Sequence, residues 1–145
     1  MTVPALATEL AIAFEGLRLE PYRDMAGYPT IGYGRLLSRD RKVPLANWTS
    51  ITETEAQAML GADLERAMGA VLRLCPVTLA DGQLAALIDF AFNCGAGNLQ
   101  ASILRRKVNR GDPSAADEFS RWVWAGGIRV AGLVRRRAAE TRIYR

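Results

Sequence analysis

A chain of 145 residues, half of them apolar, can build one domain with a real core, and no apolar run approaches the ~20 residues a bilayer span needs. It has no histidine, which excludes a His base, a Ser-His-Asp triad and a His-ligated metal, and Cys75 and Cys94 are too few for a disulfide framework. The net charge of +4 is uneven: residues 105–145 hold eleven Lys/Arg against four Asp/Glu, a local +7 that leaves −3 for residues 1–104. Such a segment suits an anionic wall polymer, a nucleic acid, or simply a solvated basic face.

In chain order, residues 3–16 read as a first helix. Leu6, Leu10, Ile12, Ala13 and Phe14 give an approximate apolar stripe, and Gly16 is the stop. With no basic leader and with Glu9 inside the stripe, this opening reads as an amphipathic helix and not as a secretory signal. A hairpin follows, with Tyr22, Asp24 and Met25 before a turn at Ala26-Gly27-Tyr28-Pro29 and Thr30 to Gly34 after it. This pattern is expected to set Asp24 opposite Thr30 across the ladder, with Glu15 at the end of the preceding helix. Leu36-Leu37 end the small sheet, Ser38 to Lys42 form an exposed loop, and Val43 to Trp48 add a short strand or turn.

Thr52-Glu53-Thr54-Glu55 is a capping box that opens the longest helical pattern, which runs to about Leu74 and is stopped by Pro76. Thr78 is the expected cap of a helix that is apolar nearly all round, the mark of a core helix, and that ends at Phe92-Asn93-Cys94-Gly95. Further helices are expected from about Leu99 to Asn109, from Pro113 (after an Asp112 cap) to Trp124, and from Ile128 to Ile143. Trp122 and Trp124, two apart on a helix, would point in different directions, one to the core and the other away from it. The fold class is α+β and mostly α, with one small antiparallel sheet near the N-terminus and a cleft between sheet and helices.

Glu15, Asp24 and Thr30 stand at steps of nine and six residues. Glycoside cleavage needs two carboxyl groups in unlike environments, one protonated to donate to the leaving oxygen and one ionised. Phe14 and Leu17 flank Glu15 with the apolar wall that suits an acid. A strand edge open to water suits Asp24, and the Thr30 hydroxyl can hold a water beside it. Each residue is also ordinary on a protein surface, so this spacing alone is a weak signal.

E-x8-D-x5-T followed at once by I-G-Y-G resembles the catalytic motif of the tailed-phage lysozymes, the endolysins of glycoside hydrolase family 24. FNCGAGNLQASILRRKVNRGDPSAADEF and WAGGIRVAGLVRRRAAE resemble that family's C-terminal lobe, so the likeness covers nearly the whole chain. It implies a lysozyme-like fold in a single domain of residues 1–145. A sheet lobe (about 15–50) and a helical lobe (about 76–145, with helix 3–16 packed nearby) are joined by a long helix (about 52–74). It also implies a muramidase that cleaves, with inversion, the β-1,4 bond between N-acetylmuramic acid and N-acetylglucosamine. For an inverting enzyme the two carboxyl groups stand roughly 6.5–9.5 Å apart.

By the same resemblance Glu15 is the general acid, Asp24 and Thr30 position and activate the water, and Leu36 and Phe92 line the glycan cleft. Asn93 offers an amide to an N-acetyl group or caps its helix. One of Arg135, Arg136 and Arg137 reaches Glu15. Arg35 stands where many members carry a His, a change expected in a structural ion pair and not in the chemistry. No metal or cofactor is implied. The expected partner is the peptidoglycan glycan strand, with no nucleic acid and no stable membrane insertion. The expected form is a monomer held in the host cytoplasm until a holin pore releases it to the wall in the periplasm. Two rivals remain: a lytic transglycosylase, and a non-catalytic module that binds wall or nucleic acid through the basic segment.

Overall fold

In the computed structural model, which describes all 145 residues, the chain divides into two compact units, residues 11–63 and residues 1–10 with 64–145. The first holds the end of α1 (Ala5–Glu15) and an antiparallel sheet ordered β1-β2-β3, of Arg18–Arg23, Pro29–Gly32 and Arg35–Leu36. The register differs from the one expected. Thr30 stands opposite Tyr22, and Arg23 opposite Pro29, so Asp24 is not across the ladder from Thr30. The cause is the Asp24 side chain. Its Oδ1 accepts from the backbone N–H of Ala26 (3.0 Å) and of Tyr28 (2.9 Å), an Asx turn that takes Asp24 out of the strand and into the bend.

The Arg23 guanidinium donates to the carbonyls of Gly27, Arg41 and Val43 and ties the charged loop to the hairpin. Leu45–Asn47 form one 3-10 turn where a short strand or turn was expected. Arg35 forks onto Asp63, with Nε 3.2 Å from Oδ2 and Nη2 2.9 Å from Oδ1. The residue that departs from the family pattern therefore sits in an ion pair.

α2 (Glu53–Leu74) starts in the expected capping box, Thr52 Oγ1 accepting from Glu55 N–H and Glu55 Oε1 from Thr52 N–H. In the larger unit its last carbonyl, on Leu74, accepts from Arg105 Nε and Asn109 Nδ2. α3 (Asp81–Cys94) buries every residue from Leu84 to Ala91. Thr78 is not its cap: the chain stays extended to Ala80, and the Gln83 side chain reaches back to accept from Ala80 N–H.

The helix expected over 99–109 is two, α4 (Ala96–Ala101) and α5 (Ile103–Asn109), broken where Ser102 Oγ donates to Leu99 O and accepts from Arg105 N–H. Pro113–Arg121 is a 3-10 helix capped by Asp112. Trp124 and Ile128 are not helical. They lie in a hairpin, β4 (Trp124–Ala125) and β5 (Ile128–Arg129), turned by Gly126-Gly127 at φ 58° and 78°, the pair of positive angles that a two-residue type I′ turn demands. α6 (Ala131–Tyr144) closes the chain. Phe90, Phe119, Trp122 and Tyr144 meet edge to face at 5.4–5.8 Å and centre this core.

Against that core lie two buried ion pairs. Arg136 forks onto Asp89 at 2.9 and 2.7 Å, and Arg137 meets Glu140 at 2.7 Å, both of its partners' side chains fully shielded from water. Burial pushes the Glu140 carboxyl well up, and a hydrogen bond to Asp89 adds to the rise while Arg137 opposes it. For Asp89 burial also pushes up, but the Arg136 fork outweighs it and the pKa falls below 3.8. A carboxyl so lowered stabilises the fold above pH 3.8 and loses that contribution as the pH drops through its folded value. Asp89→Asn, which takes this counter-charge from Arg136, is expected to cost about 3 kcal/mol in urea unfolding at pH 7. The difference from wild type should shrink on acidification below pH 3.8.

Candidate active site

Glu15 is the last residue of α1 and is half-buried. Its carboxyl rests on the backbone at Gly34, between β2 and β3. Gly34 has φ 75°, and a Cβ built there would overlap Glu15 Oε2 and come 3.1 Å from Cδ. Only glycine meets both demands, the positive φ and the missing side chain.

Asp24 is held in one orientation by the two N–H groups on Oδ1, and its Oδ2 makes no hydrogen bond within the protein. Thr30, only 2% exposed, donates from Oγ1 to Tyr28 O at 2.8 Å, which leaves that oxygen its acceptor lone pairs. The register sets Thr30 between Tyr22 on β1 and Leu36 on β3, and Leu36 is 40% exposed.

Tyr22 links the group. Burial raises its pKa first, the Glu15 charge raises it further, Arg18 lowers it from 4.4 Å above the ring, and the Asp24 charge raises it again. In the ladder it stands directly opposite Thr30. Tyr22 is not among the residues the motif selects, although its place two residues before Asp24 is a signal for it. Glu15, Asp24, Thr30 and Leu36 are thus gathered in the unit of residues 11–63.

Phe92 and Asn93 belong to the other unit, near the end of α3. Asn93 does not cap that helix, which Gly95 N–H closes on Ala91 O. Its Oδ1 accepts from Arg137 Nη2 at 2.8 Å, and Phe92 lies 5.9 Å from the Arg136 guanidinium. Asp89 and Glu140 are partners of Arg136 and Arg137, and Arg135 is exposed.

The family model described as Phage lysozyme matches residues 12–140. The chain belongs to the phage lysozyme family. It is a lysozyme-type glycoside hydrolase, and peptidoglycan is its substrate. Among its relatives is the SAR-endolysin of Bacteriophage PS119, 36% identical over 127 residues, which are 87% of this chain and 73% of that one. The endolysin from Escherichia coli O157:H7 phage FAHEc1 superposes with a TM-score of 0.86 at 31% identity, covering 99% of this chain and 93% of its own. The muramidase domain of SpmX from Asticaccaulis excentricus gives 0.84 at 31% identity, with 99% and 97% covered.

The lysozyme's dependence on a bare backbone at Gly34 gives a direct test. Gly34→Ala should displace the Glu15 carboxyl and lower wall-lytic activity by about 10²-fold, the order a misplacement near 1 Å costs. The activity assay is to be read beside circular dichroism showing a folded protein.

Proposed function

We propose that this lysozyme cleaves the β-1,4 bond between N-acetylmuramic acid and N-acetylglucosamine with inversion, Glu15 donating the proton and Asp24 with Thr30 holding the attacking water. The observation that supports this reading is that all three fall in the unit of residues 11–63, with the Asp24 and Thr30 oxygens already sorted by partner. Glu15 gives its proton to the glycosidic oxygen as the bond to the anomeric carbon breaks. One water hydrogen goes to Asp24 Oδ2, the atom the turn leaves free, and the other donates to Thr30 Oγ1, whose own hydrogen is committed to Tyr28 O. The water oxygen then bonds to the anomeric carbon from the opposite face. Afterwards Asp24 carries the proton and Glu15 is ionised, and exchange with solvent resets both. Room for that water sets the carboxyl separation of an inverting enzyme, roughly 6.5–9.5 Å.

Leu36, beside Thr30 in register, supplies apolar contact for the sugar, and Phe92 supplies more. Asn93 has its oxygen engaged, so its Nδ2 is the atom left to donate to an N-acetyl carbonyl. The family and the endolysin names of the relatives support a role in host lysis. No helix is long and apolar enough to cross a membrane. We infer a monomer that waits in the host cytoplasm, passes a holin pore and acts on the wall in the periplasm without binding nucleic acid.

Wild type should clear chloroform-treated Gram-negative cells, and Glu15→Gln should lose about 10²–10⁴ in rate with its fold intact by circular dichroism. Equal clearing by the two ends the assignment. Muropeptide analysis should find reducing ends, and anhydro-muramoyl ends would make it a transglycosylase instead. Asp24→Asn keeps an Oδ1 for the Asx turn, so it should fold as wild type does while losing most activity. Asp24→Ala should lose stability as well, by about 1 kcal/mol in thermal or urea unfolding.

A further inference from the structure

The hairpin β4–β5 plays no part in the chemistry above, yet every residue from 124 to 129 is exposed, Trp124 to 61% and Ile128 to 68%. Trp122, two residues earlier, packs edge-on against Phe90 at 5.4 Å, so the core has its indole and Trp124 is not a piece of it. Register decides what stands beside the exposed ring. Trp124 pairs with Arg129 and Ala125 with Ile128, so one face carries an indole and a guanidinium and the other two aliphatic groups. Between Phe119 and Ala139 the chain has five arginines and no acid. Arg121 pairs with Glu118, Arg136 with Asp89 and Arg137 with Glu140, while Arg129 and Arg135 are exposed with no carboxylate partner.

We propose that the Trp124–Arg129 face is a second contact for the glycan strand, the indole stacked on a pyranose ring and Arg129 on a lactyl or stem-peptide carboxylate. This rests on peptidoglycan being the substrate. The strand offers both groups in alternation: flat C–H faces for an aromatic ring, and carboxylates for a planar donor fork. Its negative charge also complements the +7 carried by residues 105–145. A lipid surface fits worse. The hairpin tip is Gly126-Gly127, with no side chain to insert, and Trp124 and Ile128 stand on opposite faces, so they do not form one apolar wedge.

Co-sedimentation with purified Gram-negative sacculi tests the face, in a Glu15→Gln background that leaves the wall intact. Trp124→Ala and Arg129→Gln, both exposed and expected to leave thermal unfolding unchanged, should each weaken binding about five-fold, and Trp124→Phe should retain most of it. Equal binding by parent and variants overturns the proposal. So does a Trp124→Ala loss confined to phosphatidylglycerol vesicles, with sacculus binding unchanged. Release of reducing ends by the wild type is scored separately on the same sacculi. Its absence beside Trp124-dependent binding would sink the hydrolytic reading and leave this face standing.

Discussion

The two hydrogen bonds that Asp24 Oδ1 accepts from Ala26 and Tyr28 do two things at once. They end β1 at Arg23 and close the bend, which sets the ladder so that Tyr22, Thr30 and Leu36 fall in one row across three strands. They also fix the carboxylate through one oxygen and leave the other unbonded. An aspartate that merely faced Thr30 across a ladder would be a flexible side chain on a strand. An aspartate cinched into its own turn has lost that freedom during folding. The same logic governs Gly34, where the absence of a side chain lets the end of a helix and the end of a strand approach until a carboxyl touches backbone. In this unit the folding problem and the positioning problem have one solution.

The larger unit solves a different problem. Two arginines and two acids are buried close together, an arrangement that stabilises little by itself because desolvation cancels most of the attraction. What it does provide is definition. Asp89 on α3 and Arg136 on α6 must meet fork to fork, and Arg137 must reach Glu140, Asn93 and the Cys94 sulfur, so α3 and α6 have one permitted alignment. An apolar seam there could slip by a turn at little cost. A seam of paired charges cannot, because each slip leaves a buried ion alone.

Much of this was legible in the chain, for reasons that can be named. Elements written in local chemistry came through: the Thr52–Glu55 box, the largely apolar α3, the Asp112 cap. That Glu15, Asp24 and Thr30 share one unit was legible because a helix end, a turn and a strand follow one another within twenty residues. What failed was whatever depended on which of two local options a residue would take. Asp24 could extend a strand or close a turn, and the side-chain bonds that decide it leave no trace in periodicity. Thr78 looked like a cap, but Gln83 did the capping from inside the helix. Leu99 to Asn109 kept a helical period across Ser102, whose hydroxyl breaks it. Gly126-Gly127 falls between two expected helices, yet two glycines flanked by Trp-Ala and Ile-Arg form a hairpin.

That last misreading matters most for what the enzyme does with a polymer. Placed in helices, Trp124 and Arg129 are unrelated surface residues on two different elements, and an exposed indole is a curiosity. Placed in a two-stranded hairpin they become directly opposed, and a ring and a guanidinium share one face. A hydrolase whose substrate is a strand has reason to hold more of it than the two sugars of the bond it breaks. The proposed contact of one ring and one fork is modest in strength and so reversible. The tight turn of two glycines is what makes such a contact rigid: it holds the pair at fixed separation on strands of two residues each.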